Sequence, residues 1–125
     1  MILDTNAVSF LLEGDPQLGR RLGHDGHHLP LPVIAQVQFG FLALQRGRRR
    51  YESLFRRLGA VSVVLYPDRE TADWYAFIRH DLKQRGEPIP ESDIWIAALA
   101  RQYALEIVSK DTHFDRVRGV RRIQW

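Results

Sequence analysis

Four carboxylates stand where a backbone can bring them together. Asp4 follows the apolar pair Ile2-Leu3, and Asp111 closes the run Ile107-Val108-Ser109-Lys110. Asp93 opens a segment of helical character, where backbone N–H groups and the helix dipole favour an anion. Asp115 comes four residues after Asp111, one turn away if that loop is helical. In an open α/β sheet the ligand site lies beyond the carboxyl ends of the strands, and Asp4 and Asp111 fall there. Carboxylates converging on one crevice repel each other unless they share a cation. Hard oxygen ligands of this kind suit Mg²⁺ or Mn²⁺, ions that keep waters and bind substrate phosphates. Such an ion activates water, orients an in-line attack on phosphorus and stabilises the leaving oxygen. Each acid also has a plain structural role open to it. Asp4 can cap a helix, Asp93 can be a first-turn charge, Asp111 a turn residue and Asp115 a solvent-facing acid.

The elements that must position these acids are short strands alternating with helices. Ile2-Leu3 reads as a brief strand running into a turn, with Thr5 or Asn6 capping a helix over 7–13. Gly14-Asp15-Pro16 breaks it, and a second helix covers 16–22. Residues 23–28 read as loop and 29–31 as strand, with Pro32 in the first turn of a helix that ends near Gly47. In that helix Ile34, Val37, Phe41 and Leu44 recur at helical spacing. A helix over 48–58 is followed by the β-branched run 61–65, typical of a strand covered on both faces. Thr71, Trp74, Ile78 and Leu82 mark a helix over 70–85; another spans 92–103, and 106–108 and 120–123 finish as strands. This alternation predicts right-handed crossovers and a mainly parallel sheet.

A chain of 125 residues and 14.5 kDa makes one domain, residues 1–125, by the rough prior of ~100–200 residues per domain. The absence of cysteine excludes a disulfide scaffold, a zinc-thiolate site and a thiol nucleophile. No apolar run approaches the ~18 residues of a membrane span, and the opening residues lack signal-peptide design. A soluble cytoplasmic protein is the expectation. Lys plus Arg total 18 against 15 Asp plus Glu, with a pI near 9.7. Only Lys83 and Lys110 are lysines, so the basic charge is nearly all guanidinium, whose planar fork suits phosphate and nucleic acid.

Three segments carry a family resemblance. Ile2-Leu3-Asp4-Thr5-Asn6, Pro90-Glu91-Ser92-Asp93-Ile94-Trp95-Ile96-Ala97-Ala98 and Val108-Ser109-Lys110-Asp111-Thr112-His113-Phe114-Asp115 resemble PIN-domain nucleases. Within that family the pattern is similar to VapC-type toxins of toxin–antitoxin pairs, in order through to Arg122-Ile123-Gln124-Trp125. The resemblance implies a three-layer α/β/α fold with a short, mainly parallel central sheet and a Mg²⁺- or Mn²⁺-dependent endoribonuclease activity on RNA. It implies that Asp4, Asp93 and Asp111 bind the metal, that Asp115 supports them, and that Thr5 and Asn6 belong to the opening substrate-side motif. Ser109 stands where a small hydroxyl residue is common. A homodimer and a VapB-like antitoxin whose C-terminal segment crosses the groove are the partners it implies.

One position departs from the pattern. The family carries a glutamate in the helix after the second strand, and alignment by eye sets Gln38 there, with Gln36 second. An uncharged amide is a weaker partner for a hard cation than a carboxylate, which implies reduced or altered activity. The leading reading is therefore a metal-dependent ribonuclease toxin. The alternative is a non-cleaving member acting as a binding partner in a repressor complex, and a third is DNA cleavage in repair.

Arg48, Arg49 and Arg50, with Arg46, Arg56 and Arg57, form a candidate RNA-backbone patch, a solvated helix face being the other reading. His24, His27 and His28 fit no zinc spacing and read as a polar loop. His113 reads as a loop residue, and Trp74, Tyr75 and Trp95 as core or dimer interface.

Overall fold

The computed structural model describes residues 1–23 and 26–125. His24 lies outside them. Among the described residues five strands form one sheet in the order β3-β2-β1-β4-β5, every neighbouring pair parallel. The strands are β1 (Ile2–Leu3), β2 (His27–Pro30), β3 (Ser62–Leu65), β4 (Ile107–Val108) and β5 (Arg122–Ile123). Helices α1 (Thr5–Leu12) and α2 (Pro16–Leu22) connect β1 to β2, and α3 (Leu31–Leu42) and α4 (Arg48–Ala60) connect β2 to β3. Helices α5 (Arg69–Gln84) and α6 (Glu91–Tyr103) carry the chain to β4, and a 3₁₀ turn (Thr112–Arg116) precedes β5.

This order sets the position of the site. The chain winds outward from β1 through β2 to β3, then crosses back to place β4 on the other flank of β1. Right-handed crossovers in opposite directions put α1–α4 on one face and α5–α6 on the other. Contacts group α1 with α2, α3 and α4, and α5 with α6, while α3 also reaches α6. The strand order reverses between β1 and β4, so their carboxyl ends open a crevice at the switch point. Asp4 leaves β1 there, and Ser109 and Asp111 follow β4.

The two-residue strands β1 and β4 are fully buried, with Ile2, Leu3, Ile107 and Val108 at 0% exposure. Helix α6 packs Ile94 and the run 96–100 into the core. A fully buried leucine such as Leu99 contributes roughly 1.5–3 kcal/mol. Ala97, Ala98 and Ala100 let the helix approach closely, which fixes the N-terminal turn bearing Asp93.

Several expectations are corrected. Asp4, not Thr5 or Asn6, caps α1, its carboxylate accepting from the Ala7 N–H. Strand β2 begins at His27, because its backbone pairs with β1 at His28 and with β3 from His27 onward; these residues are strand, not loop. Strand β3 is an edge strand with Val63 55% exposed, so it is not covered on both faces, and Val61 precedes it as the C-cap of α4. Helix α3 stops at Leu42, well before Gly47, and the residues it buries are Val33, Val37 and Phe41.

Candidate active site

The crevice is built from three elements. Asp4 at the end of β1 is 4% exposed. Its Oδ1 accepts from the Ala7 N–H at 2.7 Å and its Oδ2 from the Ser109 hydroxyl. Ser109 Oγ in turn accepts from the Asp111 N–H at 2.8 Å. Burial drives the Asp4 carboxyl up to about 6, against those hydrogen bonds, and the fields of Asp93 and Asp111 push the same way.

Asp93, in the first turn of α6, is half-buried and its carboxyl is also raised, chiefly by burial and further by Asp111. Asp111 caps the 3₁₀ turn, its Oδ1 accepting from the His113 N–H at 2.9 Å. His113 Nδ1 lies 3.0 Å from Asp111 Oδ1 and 3.3 Å from Asp93 Oδ2, so one imidazole bridges the two acids. Ligand atoms of Asp93, Asp111 and His113 all fall within 4.8 Å of one another, within reach of a single cation.

The carboxylates of Asp4, Asp93 and Asp111 gather in one crevice, with His113 bridging two of them and the Arg122 guanidinium in the field of Asp111. Lys110, beside Asp111 in sequence, lies over the rings of Phe10 and Trp125, at 4.5 and 4.9 Å from their centroids. The donor set is oxygen-rich and its electrostatics call for a cation, so it fits a hard divalent ion.

The structure thus gathers Asp93, Asp111 and His113 at ligand distance, with Asp4 in the field of both acids and joined to Asp111 through the Ser109 hydroxyl; Thr5 follows Asp4 in sequence. Asn6 is exposed in the first turn of α1. Asp115 is elsewhere engaged. Arg122 grips it with Nε and Nη2 at 2.8 and 2.9 Å, and this holds its carboxyl below the usual range. An acid committed to a bidentate pair has few oxygens left for an ion, so Asp115 is a partner of Arg122 and not a member of the cluster.

Gln38 and Gln36, the two candidates for the family's glutamate position, differ in surroundings. The Thr5 hydroxyl donates to Gln36 Oε1, whereas exposed Gln38 lines a separate groove with Phe41, Leu42, Arg48 and Glu52. Two residues turn a helix by about 200°, so the amides face opposite sides of α3 and Gln36 is the one beside Thr5.

From Thr5 and Gln36 a groove runs along α1 past Leu12, Val37 and Phe41 to Glu13, where Tyr51 donates to Oε1 at 2.7 Å. Its length follows α1, roughly 12 Å for eight residues. Arg48, Arg49 and Arg50 form the first turn of α4 beyond this far end, outside the acid cluster. Arg48 pairs with Glu52 at 2.7 Å, while Arg49 and Arg50 are exposed. Tyr75 and Trp95 stack at 4.3 Å and are half-buried, consistent with packing.

A parallel α/β sheet with carboxylates gathered at its switch point defines the class of protein. More narrowly, the chain belongs to the PIN domain family, whose pattern matches residues 1–120. It is 27% identical over 124 residues to Ribonuclease VapC5 of Mycobacterium tuberculosis, covering 98% of this chain and 91% of that protein. It is 30% identical over 125 residues to Toxin FitB of Neisseria gonorrhoeae, covering 90% and 88% respectively. The fold matches that of VapBC2 from Rickettsia felis, solved bound to a promoter DNA fragment, with a TM-score of 0.90 over 99% of this chain and 97% of that one, at 18% identity. It also matches FitAB of the structure with an IR36 DNA fragment at a TM-score of 0.81 and 26% identity, covering 98% and 93%. No helix among the described residues is long and apolar enough to cross a membrane.

Proposed function

We propose that this chain is the ribonuclease toxin of a toxin–antitoxin pair, hydrolysing RNA phosphodiester bonds with Mg²⁺ or Mn²⁺ held by Asp4, Asp93 and Asp111. The observation that carries this reading is the buried Asp4 carboxyl, raised to about 6 beside two further acids at the switch point of a parallel sheet. The relatives named VapC ribonuclease and toxin, similar over nine-tenths of this chain or more, support the RNA substrate and the antitoxin partner.

A divalent ion, when bound, neutralises the acids and the scissile phosphate and makes water a better nucleophile. The chain's own residues do the rest. Ala7 N–H and the Ser109 hydroxyl fix the Asp4 carboxylate, so its orientation is set before any ligand arrives. Asp111 is held by its own turn, and His113 keeps Asp93 and Asp111 from separating. Thr5 and Gln36 close the wall where the family carries a carboxylate; Gln36 offers one neutral oxygen and so supports weaker ion binding. Arg49 and Arg50, exposed on the first turn of α4, suit RNA phosphates passing the groove's far end.

The test is incubation of the purified protein with a labelled structured RNA in Mn²⁺, in Mg²⁺ and in EDTA. Fragments that form only with metal support the reading. No fragments in the parent, with cutting in Gln36→Glu, would instead favour the non-cleaving partner.

A further inference from the structure

Arg122 is the most tightly engaged arginine near the cluster, yet none of the metal-site acids is its partner. Its side chain is 11% exposed. Nε and Nη2 grip both oxygens of Asp115, at 2.8 and 2.9 Å. Nη1 donates to the Ser109 carbonyl at 3.0 Å and to Gln124 Oε1 at 3.2 Å. The bond to Asp115 holds the guanidinium even more firmly protonated than usual, and Asp111 adds to the same field.

These contacts span one particular segment. Ser109 is the first residue after β4, and Asp115 lies in the 3₁₀ turn that follows. Between them stand Asp111 and His113. One rigid, planar group therefore clamps both ends of the loop that carries two of the cluster's residues. The loop's other ties are the Ser109 hydroxyl, which accepts the Asp111 N–H and donates to Asp4, the Lys110 contact with Phe10 and Trp125, and the bonds of Asp111 and His113 with each other and with Asp93. Ser109 and Phe114 are its fully buried residues.

We infer that Arg122 and Asp115 form a positioning staple that sets the Asp111 and His113 side chains for cation binding. This rests on the metal-site reading above and goes beyond it, giving Asp115 a task outside the ion's own ligands. Partners that orient ligands commonly govern metal affinity by roughly 10–100-fold. An arginine is suited to the task because its fork fixes direction as well as charge, which a lysine does not.

The experiment compares the parent with Arg122→Met, Arg122→Lys and Asp115→Asn. Arg101→Met serves as control, since Arg101 likewise donates to a backbone carbonyl, that of Arg118, but off the loop. Two readouts are taken: Mn²⁺ binding by calorimetry, and amide hydrogen exchange over 109–115 in EDTA. Arg122→Met is expected to weaken Mn²⁺ binding at least tenfold and to speed His113 amide exchange at least tenfold, with Asp115→Asn intermediate. Arg122→Lys should restore thermal stability more than Mn²⁺ affinity, and Arg101→Met should leave both readouts unchanged.

Mn²⁺ affinity within twofold of the parent in Arg122→Met, even with a lowered melting temperature, overturns the inference: the pair then serves only the fold. If the parent binds no Mn²⁺, the metal-site reading fails on its own, and the exchange data alone decide whether the staple sets the loop. Unchanged exchange in Arg122→Met then overturns it.

Discussion

The Ser109 hydroxyl donates to Asp4 Oδ2, joining the end of β4 to the end of β1 across 105 residues of sequence. The same hydroxyl oxygen accepts the Asp111 N–H, so one small side chain couples two of the three clustered acids. The bond also opposes the burial that raises the Asp4 carboxyl. Removing it in Ser109→Ala should drive that carboxyl higher still. The acidic limb of the cleavage–pH profile is expected to move to higher pH, with activity falling about tenfold near pH 6 and less at pH 8. An unmoved limb would separate Asp4 ionisation from the rate.

Asp4 should also register in stability. Its carboxyl is raised from 3.8 to about 6, so the folded protein holds the proton more tightly than the unfolded chain does. The native state therefore loses stability as pH rises through the window from 3.8 to 6, and the full penalty is present above it. A tenfold difference in proton affinity is worth about 1.4 kcal/mol, and Asn gives up the bond from Ser109. In EDTA, Asp4→Asn is expected to be more stable than the parent by about 2 kcal/mol at pH 7 in urea unfolding, with the gain gone by pH 4. A gain that is equal at both pH values would assign it to packing.

The two amides of α3 can be told apart by charge. Gln36→Glu places a fourth carboxylate beside Thr5 and should tighten Mn²⁺ binding about tenfold while lowering the metal-free melting temperature. Gln38→Glu, on the opposite side of the helix beside Arg48, should leave Mn²⁺ binding within twofold. Calorimetry on the pair checks it, and equal effects would contradict the placement of Gln36.

Arg49 and Arg50 face solvent on the first turn of α4. Replacing both by glutamine should weaken RNA binding and flatten its dependence on log salt, the slope falling by about one to two. Binding measured between 50 and 200 mM salt, as order-of-magnitude endpoints, reads the slope directly. A slope equal to the parent's would leave these arginines as a solvated helix face.

Much of this site can be read from local chain chemistry. Asp4 and Asp111 each follow an apolar strand, and Asp93 begins a helix whose core face is continuous, so position suggests a shared crevice, while their joint role as a metal site is what the family resemblance implies. The phase of α3 is harder. The family resemblance alone leaves Gln38 and Gln36 both open; the buried face is Val33, Val37 and Phe41, and that phase sets Gln36 against Thr5. In a helix apolar on several sides, Ile34 and Val33 look equally suitable, and only tertiary packing chooses. His113 and Arg122 are illegible in the sequence for another reason. Each acts through partners fixed by the fold: His113 by the turn at Asp111 and the approach of α6, Arg122 by the register of β5 against β4. Asp115, four residues from Asp111, has cluster-like spacing, but the arginine that claims it lies seven residues further on.

The most direct test is side-by-side incubation of the parent and Asp4→Asn with one labelled structured RNA in Mn²⁺, following product over time. Cleavage in the parent and at least a hundredfold less in Asp4→Asn, whose fold is verified by its raised metal-free stability, is the expected result. Equal cleavage by the two proteins would contradict the assignment of this acid cluster as the site of RNA hydrolysis.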